Sequence, residues 1–376
     1  MPLEESLAQY VARVVDLRSY FVAPGRTYWD QEDTMGVRTR FVLWSTERVG
    51  SGYFDGFHGQ VVFLGQTVIE PHTFNNQCGV TTIDLGAGIY KLLHKMCDGC
   101  LSLVSVRGPR VMIIERQAFE GCTSLHTAAF PHVHTIGEDA FINTALASAD
   151  FPFLKTVPSK CFYGCFALKV AYLPAATEVK DMAFAGLPRG DKQKGCGLLT
   201  TLVCPNVETV GMRAFWGCVS LENIIMPKLK HAGLEAFYNN RKVHSVEMPR
   251  LLDSGVFSFS KCSSLPALHL PMLREAPDSI FRDCGMLEFV VLPNVKQISS
   301  TAFSGCVMLK VLKFSKTAQI ENNDLFDVPS TLQHSLRDAD DGSGFAPRAS
   351  RRMPLTQKVL EVGHGSIPSK AFTIEE

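Results

Sequence analysis

The chain has 376 residues, 46% of them hydrophobic and 20% charged, enough apolar material for a folded core and a composition that excludes disorder as the main theme. Lys plus Arg and Asp plus Glu both number 37, so the formal charge is zero and the chain lacks the overall basic excess of a nucleic-acid binder. Its length suits two or three ordinary domains or one elongated repeat array.

The N-terminus, MPLEESLAQY, has acidic residues where a secretion signal needs a basic start and an apolar stretch. No apolar run approaches the roughly 18–20 residues of a membrane-spanning helix. The reading is therefore a cytoplasmic protein with its cysteines reduced, and surface exposure would need unconventional export. Within residues 3–22, Leu7, Tyr10, Val11, Val14, Val15 and Leu17 fall at helical spacing and predict an amphipathic helix. TRFVLWSTERV (39–49) and GQVVFLGQTVIE (59–70) predict strands, joined by the turn-rich GSGYFDGFHG. Residues 1–66 show no repeat. They are read as a helical and β cap, holding Trp29 and Trp44, over the open end of the region that begins at residue 67.

From residue 67 the chain is periodic. Phe119, Phe141, Phe162, Phe184, Phe215, Phe237, Phe259, Phe281, Phe303 and Phe326 follow at steps of 22, 21, 22, 31, 22, 22, 22, 22 and 23 residues. Phe74 lies 45 residues before Phe119, two periods, with Cys97 in the anchor slot between them. The long step contains an inserted loop, PRGDKQKGCG (188–197). Other columns share the period. An Ile or Val stands five residues before the anchor, as in Ile69, Ile114, Ile136, Val157 and Val179. A Cys stands three after it, as in Cys100, Cys122, Cys165, Cys218, Cys262, Cys284 and Cys306. The unit is I-G-x-x-A-F-x-G-C-x-S-L-x-x-V-x-L-P-x-L-x-x.

Its L-x-x-V-x-L run alternates with the period of a strand, and the following Pro lacks the N–H that would continue the ladder. One strand per repeat predicts a parallel sheet along one side of a solenoid. The A-F-x-G-C segment predicts a tight turn, with short helical segments in the connections. A single unit is too short to bury its apolar face, whereas stacked units share one continuous core.

This phrase resembles the BspA-type leucine-rich repeat over residues 67–326. The resemblance implies a leucine-rich-repeat solenoid, about eleven to thirteen repeats long, and a surface or cytosolic recognition protein without catalysis. The repeat region is taken as 67–336. Residues 337–352, RDADDGSGFAPRASRR, predict a flexible loop. An EF-hand reading of 338–344 fails, because Ser343 and Ala349 stand where Gly and Glu are required. GSIPSKAF (365–372) echoes KTVPSKCF (155–162), so 353–376 is read as a degenerate last repeat.

Cys97 and Cys100 form a C-x-x-C, but no second pair follows, and both sit in repeat columns that packing explains. No catalytic, cofactor-binding or metal-ligating residue is expected, and Cys196 in the inserted loop is the expected exposed thiol. Binding residues should lie on the open strand face, two and four positions before each Pro. Apolar clusters there are Val170, Tyr172, Val203 and Ile225, and further on Phe289, Val291 and Val311. The expected function is a non-enzymatic scaffold that recognises a protein partner, with no nucleic acid involved. The alternative is a cell-surface adhesin or antigen-like protein that binds host or glycan ligands.

Overall fold

The computed structural model describes residues 28–32, 38–43, 48–64, 68–189, 192–194, 196–323 and 325–332. The helix expected within 3–22, the loop 337–352 and the degenerate repeat 353–376 lie outside these residues.

The chain winds as a parallel β-solenoid of about twelve turns with almost no helix. The long strands stand where the sequence alternates, for example Ser105–Arg107, Thr127–Ala129, Val170–Tyr172 and Phe289–Leu292. Each pairs in register with its neighbour one repeat away, as in Ser105 with Thr127 and Arg107 with Ala129. The middle residue of most long strands, such as Val106, Ala171, Ile224, Leu268 and Val290, is buried.

Each turn holds two strands, where the repeat pattern predicts one. The Ile column is itself a second, two-residue ladder, pairing Ile114 with Ile136 and Val157 with Val179. β-Branched residues in that column favour the extended backbone, and the ladder gives their amides a partner. The expected helical segments are replaced by six-residue turns. The residues two before and two after most anchors are left-handed, as at Gln117 (φ 57°) and Gly121 (φ 70°) around Phe119, and a right-handed helix cannot continue through them. Among the described residues, helix is confined to the 3₁₀ turn Glu321–Asn323 and residues 330–332.

Two columns fill the interior. The anchor rings stack at centroid distances of 5.2 Å for Phe119–Phe141, 5.6 Å for Phe141–Phe162, 5.1 Å for Phe162–Phe184 and 5.5 Å for Phe215–Phe237. Beside them runs a thiol column. Each Sγ donates to the anchor carbonyl of the preceding turn: Cys122 to Cys97 O at 2.9 Å, Cys165 to Phe141 O at 3.1 Å, Cys284 to Phe259 O at 3.2 Å and Cys306 to Phe281 O at 3.1 Å. Cys recurs because the slot takes a small, largely apolar group with one weak donor. Asn240, which replaces Cys once, is buried with neither amide atom partnered.

Three positions differ from expectation. Cys196 is not exposed. It is fully buried and donates to Phe162 O at 3.1 Å, because it is the column cysteine of its own repeat and the insertion falls before it. That insertion forms an antiparallel hairpin, Leu187–Arg189 with Lys192–Lys194, and leaves the core stack at Phe184–Phe215 unbroken at 5.2 Å. Phe326 is not an anchor and is 69% exposed; Leu325 is buried in the anchor slot, which restores the regular step. The parallel ladder also continues N-terminal to residue 67. Arg38–Leu43 pairs with Gly59–Phe63, and Phe54 stacks on Phe74 at 4.6 Å. Tyr28–Glu32 pairs antiparallel on the outer side of Arg38–Leu43.

Candidate interaction surface

A reactive cysteine needs access and a stabilised thiolate. The column cysteines lack access, and for most of them the thiolate is disfavoured as well: burial pushes the thiols of Cys165, Cys262 and Cys306 up to about 12. At the C-x-x-C and its neighbour in the next turn, burial raises Cys97 and Cys122, whereas hydrogen bonds from Cys122 and Cys97 lower Cys100. Cys100 is nonetheless fully buried, with its Sγ 2.7 Å from Phe74 O. Among the described residues no group of three His, Cys, Asp or Glu side chains could hold a metal ion.

The long-strand sheet carries the predicted binding residues in two groups. In the middle, Val170 and Tyr172 lie beside Thr201 and Val203 on the next strand. Tyr172 also pairs with Asp150, whose carboxyl is raised by burial. Tyr172 and Ile225 are half-buried, but Val203 is only 8% exposed and offers almost nothing to a partner. Ile225 belongs to the next hydrogen-bonded segment of sheet, which starts at Asn223–Ile225. The central four are therefore not one exposed patch.

The C-terminal three are. Phe289 pairs with Val311, and Val291 with Lys313, inside one three-stranded segment. Phe289 is 38% exposed, with Val291 and Val311 half-buried. Further exposed apolar side chains stand where the chain enters these strands: Met286 (58% exposed), Val307 (67%) and Met308. The repeat pattern alone does not single out these three, although a signal is present: Met286 and Met308 stand where the repeat has Ser. An ion pair between Lys310 and Glu288 at 2.9 Å supplies a charged rim.

No helix among the described residues is long and apolar enough to cross a membrane. No curated protein sequence matches the chain. Solved structures with similarity include a leucine rich cell surface protein from Faecalibacterium prausnitzii, 19% identical over 80% of this chain and 96% of that one, with a TM-score of 0.34. A leucine-rich repeat protein from Bacteroides ovatus is 19% identical over 80% of this chain and 99% of its own, at TM-score 0.32. One from Eubacterium ventriosum is 14% identical over 83% and 93%, at 0.38. A cytoplasmic location gains no support from these neighbours. The profile of the BspA type leucine rich repeat region matches residues 65–188 and 193–327 in six copies. With the stacked anchors and parallel ladders of the fold, that match places the chain in the BspA-type leucine-rich repeat family.

Proposed function

We propose that the protein is a non-enzymatic recognition module that holds a protein partner on its strand face. The observation that carries this reading is the exposed ring of Phe289 paired beside Val311 on one strand segment, with the exposed Met286, Val307 and Met308 just before those strands in the chain. Exposed apolar clusters of this kind on a rigid sheet favour burial against another protein. Phe289 is the anchor, because an aromatic ring at the centre of a patch contributes most to binding. Val170, Tyr172 and Ile225 extend the face toward the middle of the solenoid, with the buried Val203 paired beside Tyr172.

Quantitative comparison of proteins recovered from the source cell by the wild-type chain and by Phe289→Asp tests this. The exposed substitution leaves the fold intact by circular dichroism and removes the specific partner. A partner that stays bound to Phe289→Asp and is lost from a Tyr172→Asp chain would move the site to the central strands.

A further inference from the structure

The turns on the short-strand side are polar in most repeats, with one interruption. Three residues before the anchor, the column runs Asp181, then Met212, Leu234 and Val256, then Asp278. Turn-to-turn hydrogen bonds align it: Met182 N donates to Met212 O and Arg213 N to Leu234 O, both at 2.8 Å, Glu235 N to Val256 O at 3.0 Å and Phe257 N to Asp278 O at 3.2 Å. Leu234 is 38% exposed and its two apolar neighbours are half-buried. In the same turns Trp216 and Tyr238 stack at 6.0 Å. The stripe ends on a groove of about 480 Å³, where Val256 meets Glu275, Asp278, Ser299 and Glu321.

Charge separates the two ends of this feature. Along the stripe the cations are engaged: Arg213 with Glu235 at 2.7 Å, Lys261 over the Tyr238 ring at 5.3 Å, and Arg282 with Asp283 at 3.9 Å. In the groove, the Ser299 hydroxyl lies within hydrogen-bond reach of both the Asp278 and Glu321 carboxylates, and its one O–H can donate to only one of them at a time. Glu275, Asp278 and Glu321 have no ion-pair partner among the described residues. An apolar stripe that runs into uncompensated carboxylates complements a segment with the opposite arrangement.

We propose that the turn face is a second docking surface, separate from the strand face, for a partner-protein segment with apolar side chains followed by a cationic end. The apolar side chains cover Met212, Leu234 and Val256, and an arginine or lysine enters the groove between Asp278, Glu275 and Glu321. A guanidinium there gains charge-assisted hydrogen bonds. With both faces in use, the solenoid holds two partners at once.

The test uses the full chain and a fluorescein-labelled peptide with leucine and phenylalanine at its centre and two arginines at its C-terminal end. A second peptide carries glutamate in place of arginine. The arginine peptide binds saturably, and its affinity falls with salt. Binding weakens at least tenfold in Leu234→Asp, where an exposed position leaves the fold unchanged by circular dichroism, and in Asp278→Asn combined with Glu275→Gln. It is unchanged in Phe289→Asp, so failure here is distinguishable from failure of the strand-face reading. The proposal is overturned if the arginine peptide does not bind, if the glutamate peptide binds equally, or if Leu234→Asp has no effect. Tighter peptide binding by a full chain carrying Arg351→Glu and Arg352→Glu would also overturn it, by assigning the face to the chain's own basic segment.

Discussion

Two neighbouring turns solve the same packing problem with different residues. In the turn that ends at Cys122, Ala118 is followed by Phe119, whose ring stacks on Phe141 at 5.2 Å and lies 5.8 Å from Phe130. In the preceding turn, Met96 is followed by Cys97, and both are fully buried. The bulk has moved one residue along the chain. The repeat thus fixes total volume and backbone path more strictly than it fixes which position carries the large side chain. The backbone register is unaffected, since Cys97 N still donates to Ala118 O at 2.8 Å.

The largest test of this comparison removes the ring. Phe119→Ala should cost about 3–5 kcal/mol, because a fully buried aromatic leaves a cavity that stacked neighbours cannot close. The shift is read from the urea midpoint of unfolding. A loss below about 1 kcal/mol would mean that the stack relaxes, and that the anchor is less important than its recurrence suggests.

A second test restores the consensus in the irregular turn. Cys97→Phe alone should destabilise by about 1–3 kcal/mol through overpacking against Met96. Adding Met96→Ala should recover most of that loss, so the double variant is more stable than the sum of the singles. Strict additivity in the double-mutant cycle would show that Met96 and Cys97 do not share one volume.

The smallest effect concerns the clip between the two turns. Glu115 bonds Lys91 at 2.6 Å and accepts from His94 N at 2.8 Å. The Lys91 hydrogen bond holds its carboxyl below the usual range, against an opposing contribution from burial. A depressed folded-state value stabilises the protein above the unfolded value of about 4.3, and the contribution is lost as pH falls through the lower folded value. Both side chains are partly exposed, so the gain is under about 1 kcal/mol and is screened by salt. Thermal midpoints measured above and below the carboxylate range should differ less in Glu115→Gln than in the wild type. An equal difference would make the clip incidental.

Much of the fold is legible in the sequence because stacking imposes the same residue on the same slot. Phe119, Phe141 and Phe162 recur since each ring must pack on the last, so a period in the sequence is a period in space. The strand polarity follows equally well, with Val106 and Ala171 inward as the alternation requires. The misassigned residues lie where a column is locally ambiguous. Leu325 and Phe326 are adjacent and both apolar, and only the closed turn shows which one faces the core. Cys196 reads as part of the insertion because the sequence does not mark on which side of the thiol the extra residues fall.

The sequence by itself determined the solenoid: its period, its anchor and cysteine columns, and one parallel strand per repeat. All of these depend on contacts between equivalent positions, and so they recur. The tertiary structure decided what does not recur. It gave each turn a second strand, set Val203 into the surface while leaving Phe289 outward, and paired Phe289 with Val311 on one strand segment. It also brought Val256 beside Asp278 on the turn face, with Leu234 one turn further along. Those surfaces depend on how far each side chain projects past its neighbours. Solvent exposure is a property of the assembled stack and is not encoded in any one repeat.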